Sequence, residues 1–319
     1  MKLNRFAKFA WLVVGYNILV ILWGAFVRAS GSGAGCGSHW PLCNGEVIPM
    51  NPGTERIIEF THRTMSGVAL VLVVGLIVWA FRSYPWGRVR YAALASGFFI
   101  LTEALLGASL VLFGWVGMDQ SVMRVYSMGL HLVNTFLLLA AMTLTAWWAS
   151  EGNAIQLRGQ PARVLALAVA LLGVIVVGMS GAVTALGDTL FPAASLAQGI
   201  QQDLNPTAHF LVQLRVIHPL IAIGVGAYLM FLTVILTNTR VALTRPFAVA
   251  LRLLVAAQWI AGVVNIVLLA PIGMQIAHLL LADLVWIVLI LFAACMLAAK
   301  QTSVNQAVPS ERAVGAPAE

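Results

Sequence analysis

Eight long apolar stretches, near 9–27, 61–81, 91–113, 126–148, 164–185, 210–237, 247–269 and 274–298, occupy most of the chain. A hydrocarbon core about 30 Å thick is crossed by a helix of roughly 20 such residues. Connections between the stretches are short, so little chain is left over for a soluble domain. Charged residues make up only 9% of the 319 and the mean hydropathy is +0.94, whereas a soluble domain carries roughly 25% charged residues. The sequence therefore predicts an all-α integral membrane protein of eight transmembrane helices. The net charge of +7 does not point to nucleic acid, because the basic residues flank the spans, as loop charges do. No nucleic-acid partner is expected; the surrounding lipid is.

Lys2, Arg5 and Lys8 precede the first stretch; Arg82, Arg88 and Arg90 follow the second; Arg158 and Arg163 follow the fourth; Arg240 and Arg245 follow the sixth; Lys300 and Arg312 follow the eighth. The positive-inside rule puts all of these, and both termini, on the cytoplasmic side of a cell membrane. The first stretch has no small-residue cleavage site and is read as a retained helix. Polar residues with Pro and Ala dominate 301–319, which reads as a disordered cytoplasmic tail. Cys36 and Cys43 share the first outside loop with His39, Gly37 and Pro41. In an oxidising compartment the first reading is a disulfide, with free thiols or a metal pair with His39 as alternatives. Cys295 lies inside the last span and reads as packing.

The chain also resembles itself. Gly24-Ala25-Phe26-Val27 matches Gly181-Ala182-Val183-Thr184, and Ile58-Glu59-Phe60-Thr61-His62 matches Leu214-Arg215-Val216-Ile217-His218. Glu103 and Gly107 align with Gln258 and Gly262, and Gly129-Leu130-His131-Leu132 with Ile276-Ala277-His278-Leu279. Order and spacing persist through four spans, so the expectation is two tandem pseudo-symmetric four-helix bundles, residues 1–160 and 161–300. An even number of spans per unit makes the repeat parallel. The small-residue run from Gly173 to Gly181 can serve association or packing within a bundle.

Each even-numbered span carries one histidine near its start: His62, His131, His218 and His278. A single histidine in a membrane helix can simply tether a neighbour. Four in register point instead to two pairs of axial ligands for haem iron, each pair on facing helices of a bundle. Zinc or copper would call for more ligands than a pair. His209 is read as an interfacial residue, and the role of His39 stays open. Where the first copy has Glu59, one helical turn before its histidine, the second has Arg215. A carboxylate there can move a proton, while an arginine can hold an anion such as a haem propionate. A helix N-terminal acid is the plainer account of Glu59. Arg63 and Arg28 carry two readings, propionate contact or snorkelling to headgroups. Glu103 and Asp283 are acids inside spans, and Asp283, aligned with Phe136, is read as packing ahead of proton or electron transfer.

The Glu59-Phe60-Thr61-His62-Arg63 motif, the Cys36 to Cys43 loop, the paired His131 and His278 and the duplicated layout together resemble the haem A synthase family. The resemblance covers nearly the whole chain. It implies oxidation of one ring methyl of haem O to a formyl group, giving haem A for cytochrome oxidase. It further implies Glu59 as the essential carboxylate, His62 and His131 framing the substrate haem, and His218 and His278 ligating an electron-passing haem b. Cys36 and Cys43 become a redox-sensitive pair. Haem O synthase and oxidase assembly factors are the partners it implies, with the haem sites towards the extracytoplasmic side. The rival is a di-haem b-type electron-transfer cytochrome, which accounts for the histidines but not for Glu59 opposite Arg215. A transporter would suit the parallel repeat, but its helix breaks belong at the midplane, and Pro219 is the one break here.

Overall fold

The computed structural model describes residues 3–50, 52–237 and 244–298. Lys2, Arg240, Lys300, Arg312 and the 301–319 tail lie outside the described residues. Among the described residues, eight helices are long and apolar enough to cross a membrane. They are α1 (Arg5–Ala29), α2 (Thr54–Ser83), α3 (Arg88–Leu112), α4 (Val122–Ala149), α5 (Pro161–Leu190), the sixth span Phe210–Thr237, α9 (Thr244–Val267) and α10 (Ile272–Met296). The sixth is composite: a single turn, α7 (Phe210–Gln213), passes through a 3-10 segment, Leu214–Val216, into α8 (Ile217–Thr237). Pro219 explains the break, because its ring crowds the carbonyl four residues back, at Arg215, and it offers no N–H there. A short amphipathic helix, α6 (Leu196–Asp203), lies between α5 and α7.

Local signals set several boundaries. The Asn4 side chain caps α1 by accepting from the Ala7 N–H at 2.7 Å, and Ser121 caps α4 through the Arg124 N–H at 3.3 Å. Pro161 opens α5, where a missing N–H costs nothing. The apolar run beginning at 61 understates α2, which starts at Thr54. Its first two turns carry Glu55, Arg56 and Glu59, and their polarity hides a helix whose buried charges are satisfied by the preceding loop. His62 consequently lies about two turns inside α2, level with the placement of the other three histidines.

α1 packs against α2 and α4, with α3 closing the circuit between α2 and α4. α5 packs against α8 and α10, with α9 between those two. The two sets meet where α1 and α4 touch α5 and α10. α4 and α10 are buried along most of their length, while the other spans turn most of their surface outward. At the seam, Trp286 stacks on Phe136 with ring centres 4.9 Å apart, and its Nε1 donates to the Phe136 carbonyl at 2.7 Å. The run from Gly173 to Gly181 serves this packing: Gly173 faces Val225 of α8, and Gly178 faces Leu132 and Phe136 of α4.

Candidate functional site

All four histidines lie towards one end of the molecule, the end that carries the Cys36–Cys43 loop. Each is met by a glycine from the preceding span. A Cβ placed on Gly24 would lie 2.9 Å from His62 Cε1; on Gly181, 3.0 Å from His218 Cε1; on Gly262, 3.4 Å from His278 Cε1; on Gly107, 3.9 Å from His131 Cε1. Apolar carbons settle at about 3.5–4.0 Å, so at Gly24 and Gly181 no side chain fits while the imidazole stays in place. These are the glycines that the internal repeat aligns, Gly24 with Gly181 and Gly107 with Gly262. The shared spacing of the two copies is thus a spacing of glycine–imidazole contacts.

The imidazoles come in two pairs. His218 and His278 have ring centres 6.4 Å apart, nearly perpendicular. Two metal–nitrogen bonds of roughly 2.0–2.1 Å each, plus the distance from nitrogen to ring centre on both sides, come close to that separation. His131 and Glu103 lie within electrostatic reach of His62. Nδ1 of His62, His131 and His278 is buried without a hydrogen-bond partner, and His218 Nδ1 lies 3.0 Å from Ser180 Oγ. Buried polar atoms are ordinarily satisfied, so imidazoles with this much unused capacity fit a ligand. Among the described residues no group of three or more His, Cys, Asp or Glu that could hold a metal ion is gathered.

The residue one helical turn or more from each pair differs in kind. Glu103 Oε1 lies 3.4 Å from His131 Nδ1, in ion-pair range but long for a hydrogen bond. Its carboxylate also accepts from Asn134 Nδ2 at 2.6 Å and from Thr135 Oγ1. The aligned Gln258 places Nε2 3.4 Å from His278 Nε2. A charged group beside one imidazole is therefore replaced by a neutral amide beside the other. Sequence reading noted both residues and their alignment but not that each touches the histidine of the following span.

Glu59 and Arg215 occupy aligned positions and make the same kind of connection with opposite charge. The Glu59 carboxylate is buried; Oε1 accepts from Arg63 Nε and Nη2 at 3.1 and 2.5 Å, and Oε2 accepts from the Cys36 N–H at 2.8 Å. Arg63 continues the link, donating through Nη1 to the carbonyls of His39 and Leu42 at 2.6 and 2.7 Å. The Cys36–Cys43 disulfide is formed, and the loop it closes is held on α2 by these bonds. Buried Arg215 lies 3.2 Å from Asp188 at the end of α5 and 3.2 Å from Asp203 of α6. Partial burial pushes the Asp203 carboxyl up from its usual range, against the pull of Arg215. Each charge thus fastens a connecting segment over the histidine end. Asp188 and Asp203 were missed by sequence reading; their only signal was two acidic residues in the segment that precedes Arg215.

Arg28 donates to the Ala185 carbonyl at 2.6 Å, Thr189 Oγ1 at 2.8 Å and Gln275 Oε1 at 2.8 Å, tying α1 to α5 and α10. Arg63, Arg215 and Arg28 therefore all have protein acceptors. His209 caps α7, accepting from the Leu211 N–H at 3.4 Å, and stacks on Phe191. Cys295 is buried and unpaired by disulfide. Asp283 is fully buried, and neither carboxyl oxygen has a hydrogen-bond partner among the described residues.

Eight apolar helices, with four histidines gathered towards one end and two of them facing each other, define a polytopic membrane protein. The chain matches the family described as "COX15-CtaA: Cytochrome oxidase assembly protein" over residues 7–290, and it belongs to that family. It is 52% identical over 292 residues, 91% of its own length, to a Thermus thermophilus protein named "Protoheme IX farnesyltransferase", of which the match covers 48%. It thus spans about half the length of that relative. Shorter matches join it to proteins named "Heme A synthase": 44% identity over 98 residues in Shouchella clausii, covering 30% of this chain and 33% of the relative, and 41% over 114 residues in Bacillus mycoides, covering 35% and 37%.

Proposed function

We propose that the chain is a haem A synthase, a membrane oxidoreductase that converts one ring methyl of haem O to the formyl group of haem A. The observation that carries this is the doubled glycine–imidazole arrangement in a member of this family: two pairs of histidines, each with open nitrogen capacity, on facing helices. The two sets of four helices are read as tandem pseudo-symmetric bundles, residues 1–160 and 161–300, with both termini cytoplasmic and the histidine end extracytoplasmic in the cell membrane.

His218 and His278, with ring centres 6.4 Å apart, would hold a haem b; when bound, it would supply one-electron transfer. Ser180 beside His218 and Gln258 beside His278 fix the ring orientations, as outer partners of metal ligands do. His62 and His131 would receive the substrate haem O. Glu103 stands 3.4 Å from His131 Nδ1, and the glycines at 24 and 107 leave room for the two rings. Glu59 is the carboxylate of this half, positioned by Arg63 and by the disulfide loop. Arg28 stands between the two halves, and Arg63 and Arg215 stand one over each; a haem propionate would share their donors with the acceptors already present.

The name of the Thermus thermophilus relative raises a second reading, farnesyl transfer to haem. Prenyl transfer from a diphosphate calls for a carboxylate-held divalent cation facing the phosphates, and among the described residues no acidic cluster is gathered. Haem O synthase is the partner whose product this chain would consume. A di-haem electron-transfer cytochrome is separated by Glu59→Gln, which still offers an acceptor to the Cys36 N–H. A synthase with this substitution keeps haem b and loses haem A. A cytochrome loses neither electron transfer nor haem, and that outcome would overturn the assignment.

A further inference from the structure

Four polar side chains of the first half form one network between α3 and α4. The Asn134 amide donates through Nδ2 to Glu103 Oε2 at 2.6 Å and to the Phe99 carbonyl at 2.9 Å, and its Oδ1 accepts from Thr102 Oγ1 at 2.6 Å. Thr135 Oγ1 is shared between Glu103 Oε1 and the His131 carbonyl. With Oδ1 engaged by Thr102, it is the NH2 side of the Asn134 amide that faces Glu103, so the carboxylate is an acceptor there. Glu103 Oε1 lies 3.4 Å from His131 Nδ1. Glu103 and Gly107 stand one turn apart on the face of α3 that meets His131.

The second half differs at every aligned position of this network. Ala257 stands for Thr102, Gln258 for Glu103, Leu281 for Asn134 and Ala282 for Thr135. The helices α9 and α10 nevertheless pack against each other, as α3 and α4 do. Polar side chains between membrane helices often serve only to hold the helices together, but here the equivalent pair closes without them. A carboxylate inside a span is costly and is ordinarily kept for a function. The partners of the second histidine pair are neutral: Ser180 Oγ lies 3.0 Å from His218 Nδ1, and Gln258 Nε2 lies 3.4 Å from His278 Nε2.

We propose that Glu103, held by Asn134 and Thr135, is a positioning residue for a ligand of the substrate haem: it accepts a hydrogen bond from His131 Nδ1–H, which leaves Nε2 as the iron-binding nitrogen and makes it a stronger donor than the imidazoles of the second pair. This rests on the reading that His62 and His131 receive haem O. Which ring nitrogen binds a metal is set by the hydrogen bond that the other makes, and a carboxylate acceptor raises the basicity of the ligating imidazole. The 3.4 Å separation has to close by about 0.5 Å to form that bond, the kind of tightening that accompanies the filling of a site. Asn134 and Thr135 act by keeping the carboxylate turned to the ring. A more basic imidazole favours ferric over ferrous iron, so the network lowers the potential of the haem at the first pair.

The test is a spectroelectrochemical titration of the full-length chain in nanodiscs, loaded with haem O, each haem being assigned by its loss in His131→Ala or His278→Ala. Glu103→Gln weakens the hold on ferric relative to ferrous haem at the first pair by about 10-fold, which raises its midpoint by about 59 mV, and leaves the second haem unmoved. The double substitution Asn134→Leu with Thr135→Ala copies the second half while keeping the carboxylate; it shifts the first midpoint in the same direction and serves should Glu103→Gln fail to fold. The reciprocal change, Gln258→Glu, lowers the midpoint of the second haem. A first-site midpoint unmoved in both Glu103→Gln and the double variant, in a chain that still makes haem A, would overturn the proposal and leave the synthase reading intact. The expected shifts in a chain that makes no haem A would keep the positioning role and reject that reading instead. Haem O that does not bind at the first pair would overturn both.

Discussion

Adding a single methyl group to each of the four glycines that meet the histidines should produce graded, not uniform, damage. At Gly24 the new carbon would stand 2.9 Å from His62 Cε1 and 3.2 Å from Nε2; at Gly181, 3.0 Å from His218 Cε1. Against a carbon–carbon contact of about 3.5–4.0 Å, ring or backbone must yield by roughly 0.5–1 Å. Overpacking of this kind costs about 1–3 kcal/mol, which exceeds the helix-propensity gain of up to about 1 kcal/mol from replacing glycine by alanine. A metal ligand needs to be held within about 0.5 Å, so Gly24→Ala and Gly181→Ala should each lose a haem, by about 10-fold or more in affinity. At Gly107 the contact would be 3.9 Å, ordinary van der Waals distance, and Gly107→Ala should keep its haem and melt no lower than wild type. Gly262→Ala, at 3.4 Å, falls between. Haem per polypeptide and melting temperature of the four detergent-purified variants decide the matter. Equal haem content in all four, or a Gly107→Ala protein as depleted as Gly24→Ala, would refute the idea that these glycines exist to seat imidazoles.

Removing Arg63 should hurt more than neutralising its partner: Arg63→Ala leaves a buried carboxylate with one hydrogen bond, at about 3–5 kcal/mol, whereas Glu59→Gln keeps an acceptor for Cys36 and costs about 1–3 kcal/mol. Melting temperatures in the order wild type, Glu59→Gln, Arg63→Ala, with faster reduction of the Cys36–Cys43 bridge in the same order, would bear this out, and the reverse order would not. Glu103→Gln should fold normally yet weaken the ligand at His131 by about 10–100-fold, while the aligned substitution Gln258→Asn acts only on the second site; visible spectra of the two variants report which haem changes. Asp283→Leu should leave stability unchanged or raise it by about 1–3 kcal/mol, since the carboxyl it replaces is fully buried and unpartnered; a large loss of stability or of haem would show that the acid has work to do.

Much of this architecture was legible because lipid imposes a simple code. The eight spans could be counted from apolar run length, and the four histidines stood out because polar residues in such runs are rare. Boundaries failed where charge masked helix: α2 begins well before its apolar run because Glu59 and Arg63 find their partners in the disulfide loop, a pairing that run length does not register. Pro219 announced a break, and the 3-10 segment before His218 is its local form. The internal repeat showed that Gly24 and Gly181 correspond, but only coordinates show that both touch an imidazole. The contrast of Glu59 with Arg215 was visible as well, though not that each fastens a loop, since Asp188 and Asp203 come together with Arg215 only when α5, α6 and the sixth span fold over one another.

The most direct measurement is to express the chain in an aerobic bacterial membrane that contains haem O synthase but no other route to haem A, then extract the haems and separate them by chromatography and mass. The account predicts haem A in the presence of the chain, none in its absence, and none with Glu59→Gln or with His62→Ala. Haem b bound to the chain with haem O accumulating unconverted beside it would contradict the account and leave an electron-transfer cytochrome in its place.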